Sequence, residues 1–313
     1  MPAAGAGVPV ALASGVAATL LPQALNGIFT GSIYALFAVG YTLVFGVLDI
    51  LNLAHSAVFM LGAVITYGLA VTLGLPFLLA ALLATLGCAA VGYGIDLVAF
   101  RPLRHRGAPP ISALLTSIGL ALIFVNIAEL RFGANSRALP ASVALSGSVR
   151  LGSLVLEDSK IATLVLSLAL AAALGWIVRR TRAGRAIRAV AENPRAAQLM
   201  GMDVDAVIAW TLVLTSALGA VAGILYGLSQ HDINPFMGRD QIELKGLAVI
   251  VLGGMGSIRG AVVAGYLLGL AEVAALVFLG SNVSGGVAFV VLFLALVAFP
   301  GGILRGRSVA RQV

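Results

Sequence analysis

The sequence predicts an all-α fold, a polytopic integral-membrane bundle of eight to nine transmembrane helices. Three observations carry that expectation. The 313 residues are 60% hydrophobic and only 10% charged, whereas a soluble domain carries about 25% charged residues. Mean hydropathy is +1.08, too apolar for one aqueous core to hide, so the bilayer must solvate most of the surface. The net charge of +7 comes almost wholly from arginine, and those arginines gather between apolar runs instead of within them.

A span needs about 20 apolar residues. Taken in order, the runs lie near 22–46, 53–73, 77–99, 111–131, 161–179, 206–228, 260–280 and 284–300. A shorter, glycine-rich run at 246–257 is either a ninth crossing or a re-entrant piece. Residues 8–21 are apolar but short, and no Lys or Arg precedes them. That argues against a cleaved signal peptide and for an interfacial or short lead-in helix. Residues 1–21 are thus set apart from a single transmembrane domain over 22–304 and a basic tail over 305–313.

Charge placement orients the chain. Arg101, Arg104 and Arg106 form one basic loop; Arg179, Arg180, Arg182, Arg185, Arg188 and Arg195 form a second; Arg305, Arg307 and Arg311 form the tail. One side receives all three clusters if 246–257 crosses, and the positive-inside rule makes that side cytoplasmic. The opposite side receives 132–160, where SVALSGSVRLGSLVLED alternates apolar and polar residues, with Gly147 and Gly152 as turn formers. That is a hairpin signal, in a loop able to dock a soluble protein or simply to connect two spans.

The segment 180–204 is no plain connector. Residues 179–203 read RRTRAGRAIRAVAENPRAAQLMGMD. Ala183 to Glu192 predicts a helix with Arg185, Arg188 and Glu192 on one face and Ile187 and Val190 elsewhere. Asn193 suits an N-cap and Pro194 a first helical turn, and a second short helix should end at Gly201, a natural C′ residue. The pair suits either a lever for a partner protein or an amphipathic surface element held by lipid.

This segment resembles the cytoplasmic coupling region of the permeases for branched-chain amino acids. Three further stretches are similar to that family. Residues 26–62, NGIFTGSIYALFAVGYTLVFGVLDILNLAHSAVFMLG, look like its opening helices. Residues 101–120, RPLRHRGAPPISALLTSIGL, look like its basic loop. Residues 244–272, LKGLAVIVLGGMGSIRGAVVAGYLLGLAE, look like its glycine-rich late motif. The resemblance, to the first of the family's two permease types, covers most of the chain. It implies a subunit of an ATP-binding cassette importer in a bacterial inner membrane. The implied partners are ABC ATPase subunits, a second homologous permease and an extracytoplasmic amino-acid-binding protein. It also implies ATPase-coupling roles for Arg185, Arg188, Glu192, Asn193, Pro194 and Gly201. Asp49 and Ser56 depart from the family pattern, which has a small residue and a glycine there, and so leave substrate identity open.

The residues also speak without the resemblance. A phosphate-cradling loop needs glycines followed by Lys and Ser or Thr; no Gly-Lys pair occurs, so any ATP site belongs to another chain. No cofactor is expected. The three histidines are scattered, without zinc spacing, and no G-x-S-x-G turn occurs. The basic balance reads as orientation and lipid contact, not as nucleic-acid binding. Cys88, the only cysteine, reads as packing.

Pathway or gate candidates are the ionisable and glycine-rich positions at membrane depth. Asp49, Asn52 and His55 repeat at spacing three, one face if helical, and line an exit or brace the structure. Gly253, Gly254 and Gly256 are a close-packing cluster or a gate. Glu272 sits deep within its span without an adjacent base. A charge there costs about 2.5–3.5 kcal/mol, so it should face protein or a wet cavity. Asp96 and Glu129 lie near span ends, within reach of Arg101 and Arg131. A sugar permease of a related kind and a self-contained secondary transporter are the rival functions; a membrane-embedded enzyme would need clustered catalytic groups, and none are visible.

Overall fold

A computed structural model describes residues 8–140, 147–151, 154–280, 285–299 and 301–304. The first helix, α1, runs unbroken over 41 residues, Val8–Leu48, through Pro22. From Val8 onward the stretch set apart at 1–21 is helical and continuous with the first span, whose apolar crossing segment begins at Leu20. Then follow α2 (Ala54–Tyr67), α3 (Phe77–Ile95), α4 (Arg101–His105), α5 (Pro110–Phe132) and α6 (Asp158–Arg180). Two short helices, α7 (Arg182–Glu192) and α8 (Pro194–Leu199), lead into α9 (Val204–Gln230). The chain closes with α10 (Leu244–Gly253), α11 (Ile258–Leu279) and α12 (Val287–Ala298).

Seven of the described helical segments are long and apolar enough to cross a bilayer, against the eight or nine expected. The difference lies in α10 and α12, of 10 and 12 residues. At about 1.5 Å per residue each covers about half of a hydrocarbon core of about 30 Å. The segment before α10, Gly238–Glu243, is a π-helical turn that extends it backward. Two other π-helical turns, Gly68–Thr72 and Asp96–Phe100, close α2 and α3.

Burial separates a centre from a rim. The most apolar windows of α1, α2 and α9 are 83, 61 and 67% buried, whereas those of α3, α5, α6 and α11 are only 17–28% buried. The rim presents Leu78, Leu82, Leu115, Ile127, Val165 and Phe278 outward, a lipid-facing surface. Lipid supplies no hydrophobic force between helices, so close packing must hold them. Small residues provide it: Gly31 of α1 meets Gly269 of α11 so tightly that a Cβ on either would strike the other helix's backbone.

At one end Arg104 bonds Asp205 in the first turn of α9, which places the loop 101–106 beside the segment 182–199. Both described basic clusters therefore lie at one face; the tail arginines fall outside the described residues. In the loop between α5 and α6, strands β1 (Ser148–Leu151) and β2 (Leu154–Glu157) pair antiparallel, Ser148 opposite Glu157. Within the alternating stretch, the described residues 148–151 and 154–157 do form an antiparallel strand pair.

Candidate functional site

Local sequence builds the elbow between α6 and α9. Thr181 caps α7 by accepting from the Gly184 amide at 3.1 Å, and Asn193 caps α8 by accepting from the Ala196 amide at 3.0 Å. Pro194 occupies the first turn of α8, and Gly201 takes φ 81°, a left-handed conformation that glycine reaches without Cβ strain. Ile187, Val190 and Ala197 point inward and are buried; Arg185, Arg188, Glu192, Asn193 and Pro194 lie on the exposed side. Gly184 packs so close to Ile177 and Val178 that a Cβ would meet their carbonyls. The elbow is thus pinned to the end of α6. Arg188 helps to pin it by donating to the Val178 carbonyl, as cations near helix C-termini do. Beyond α8, Leu199 and Met200 are 89 and 81% exposed. This apolar tip was missed in the sequence; its signal was two large apolar residues between a cap and a glycine.

A second constellation sits at membrane depth. Lys245 of α10 donates to Glu272 Oε1 at 2.6 Å and to Tyr34 Oη at 2.7 Å; Tyr34 donates to Glu272 Oε2 at 2.6 Å. The Lys245 ammonium also stands 5.0 Å from the Tyr34 ring centre. Glu272, without an adjacent base in its own span, has one from another helix, and the triad ties α1, α10 and α11 together. Two residues before Lys245, Glu243 accepts from Ser56 Oγ at 2.7 Å and ties the same segment to α2. His55 lies next to Ser56, between Phe37 and Tyr41, at ring distances of 4.8 and 5.7 Å. Gly40 and Gly219 leave the slot that its imidazole fills; a Cβ on Gly219 would stand 2.9 Å from His55 Cε1. Among the described residues, His55 Nε2 and Tyr41 Oη are buried without a hydrogen-bond partner.

The expected polar stripe Asp49–Asn52–His55 does not form. Asp49 takes φ 55° in a non-helical stretch, and helix resumes only at Ala54. Asp49 is exposed, while Asn52 and His55 are buried. Asn52 Oδ1 accepts from the Ala54 amide at 3.2 Å, a turn-forming role. Gly253, Gly254 and Gly256 shape the reversal between α10 and α11. Gly253 lies against Gly260, Gly254 and Gly256 take positive φ, and the Gly256 amide donates to Thr42 Oγ1 at 3.1 Å.

Asp96 pairs not with Arg101 but with Arg104, at 2.7 Å. Arg101 instead faces Asp205 at 3.6 Å, which also binds Arg104 and His105 at 2.7 Å each.

The sequence profile described as "Branched-chain amino acid transport system / permease component" matches residues 23–296. The high-affinity branched-chain amino acid transport system permease protein LivH of Salmonella typhimurium is 35% identical over 306 residues, covering 94% of this chain and 97% of that protein. The corresponding protein BraD of Pseudomonas aeruginosa is 35% identical over 305 residues, with 94 and 98% covered. Among solved structures, PsaBC from Streptococcus pneumoniae in complex with Fab aligns at a TM-score of 0.48 with 12% identity, over 90% of this chain and 92% of that one.

Proposed function

The chain belongs to the family of branched-chain amino acid transport permease components, and on that premise we propose that it forms half of a membrane pathway for branched-chain or similar apolar amino acids. It is a multi-pass membrane transport subunit and not itself an enzyme. A second homologous permease completes the pathway in the inner membrane, an extracytoplasmic binding protein delivers the substrate, and separate ABC ATPase subunits supply the energy. The hairpin loop 132–160 offers the binding protein a surface.

The observation that carries the coupling half of this reading is the elbow α7–α8. Its inner side is packed on the end of α6, and its outer side offers Arg185, Leu199 and Met200 to the aqueous face. A docked ATPase that pushes α8 moves a body, not a loose loop. The carrying half rests on Glu243 and Lys245, which put two charges at membrane depth where the π-helical turn Gly238–Glu243 meets the short helix α10. Short helices of this kind meet polar ligands near the midplane in transporters. A ligand shifts such a pathway only by its differential affinity for the two states, so tight binding belongs to the external protein.

The test is the reconstituted complex with Ala197→Pro, which breaks α8 at a buried position, and Leu199→Asp, which alters only the exposed tip. We expect both to lower substrate uptake per ATP hydrolysed, and Leu199→Asp to reduce recovery of the ATPase with the permease. Normal uptake and normal ATPase recovery in both variants would defeat the coupling role.

A further inference from the structure

We propose that the groove between α6 and α11 is a binding site for an anionic phospholipid, its phosphate held by Arg179, Arg180 and Arg259. The groove encloses about 740 Å³. Leu168, Trp176 and Val262 are among the side chains of its apolar wall, and the three arginines stand where α6 ends and α11 begins. No acidic residue lines it among the described residues, and none of the three arginines belongs to an ion pair there.

Helix electrostatics decide what this cluster needs. Arg179 and Arg180 close α6, where cations offset the negative helix end, so they need no further partner. Arg259 is the second residue of α11, at the positive end, where a cation is unfavourable. An anion seated there meets Arg259, the α11 terminus and the two α6 arginines at once. A membrane supplies that anion attached to acyl chains that fill an apolar groove, and basic pockets between membrane helices take such headgroups.

A second groove supplies an internal contrast. It encloses about 540 Å³ between α3 and α9, and Arg101, Asp203, Asp205 and Trp210 help to line it. There Arg101 already faces Asp205 at 3.6 Å, so no anion is called for. The only two tryptophans, Trp176 and Trp210, report one groove each.

The experiment reconstitutes the full chain in phosphatidylcholine vesicles doped with brominated phosphatidylglycerol or, at equal fraction, brominated phosphatidylcholine. In the Trp210→Phe chain, Trp176 should be quenched with a preference of about tenfold for the anionic lipid. In the Trp176→Phe chain, Trp210 should show none. Arg179→Gln/Arg180→Gln/Arg259→Gln should abolish the preference, and Arg259→Gln alone, a milder change should the triple variant not insert, should reduce it. Equal quenching of Trp176 by both lipids would reduce the groove to ordinary lipid contact. Displacement of the brominated lipid by inorganic phosphate would make it an ion site. Loss of all lipid quenching of Trp176 in the assembled complex would give the groove to a protein partner. Each of these three results overturns the proposal.

Discussion

Replacing Glu272 with leucine tests whether the intramembrane triad acts as one unit. The carboxylate accepts from Lys245 at 2.6 Å and from Tyr34 at 2.6 Å, so its loss leaves the ammonium facing a phenol oxygen alone. The side chains of Lys245 and Glu272 are only 14 and 18% exposed, so the orphaned charge is poorly hydrated. Breaking a buried pair costs about 3–5 kcal/mol, and the residual exposure points to the lower end, about 3 kcal/mol. Lys245→Met/Glu272→Leu removes both charges at similar volume, and apolar replacement of a buried pair is neutral or stabilising by about 1–4 kcal/mol. The double variant also strands the buried Tyr34 hydroxyl, at about 1–3 kcal/mol, so it should be about as stable as the parent. The coupling between the two positions should be at least about 3 kcal/mol, far outside the spread of independent sites, about 0.5 kcal/mol. Unfolding of the purified chain by titration of SDS into mixed micelles measures each corner of the cycle. A single variant as stable as the parent, or a double variant as weak as the single, refutes the reasoning.

Two further outcomes follow from the packing. Gly219→Ala should destabilise the chain by about 1–3 kcal/mol through overpacking, because its methyl lands 2.9 Å from His55; His55→Ala in the same chain should recover most of the loss, and a thermal melt of the two variants checks it. Arg104→Met should cost about 3–5 kcal/mol by stranding Asp96, whose side chain is 3% exposed, and Asp96→Asn should restore much of that. Equal stability of Arg104→Met and its parent would remove the network from the account.

What could be read in the sequence was local. Asn193, Pro194 and Gly201 sit within a turn of the groups they cap or terminate, so that part of the elbow could be written down residue by residue; the Thr181 cap was not read. The antiparallel pairing of 148–151 with 154–157 follows from the alternation. The triad could not be read in this way, because its members lie 27, 211 and 238 residues apart and only the crossing of three helices brings them together. Asp49 failed because spacing three means one face only while the backbone stays helical, and it does not. Asp96 found Arg104 instead of Arg101 because the π-helical turn Asp96–Phe100 widens the helix and carries residues eight apart onto one face.

The two polar ties of the segment 238–253 are unequal, and that inequality says which one yields. Toward α1 and α11 the segment holds two hydrogen bonds, Lys245 to Tyr34 and to Glu272; toward α2 it holds one, Ser56 to Glu243. Bonds to charged groups contribute about 1.5–3 kcal/mol each, so the α10–α11 side outweighs the α2 side. The elbow touches α1 directly, and α1 touches both α10 and α11, which makes α1 the physical link between the aqueous face and the charged segment. Coupling between distant sites needs an element with two discrete arrangements. We infer that α1, α10 and α11 move as one body and that the Ser56–Glu243 contact opens. Ser56→Cys with Glu243→Cys, on a Cys88→Ala chain, allows that contact to be locked by a short thiol cross-linker. Uptake by the reconstituted complex should stop when it is locked and return on reduction; uptake that continues through the lock would place the moving boundary elsewhere.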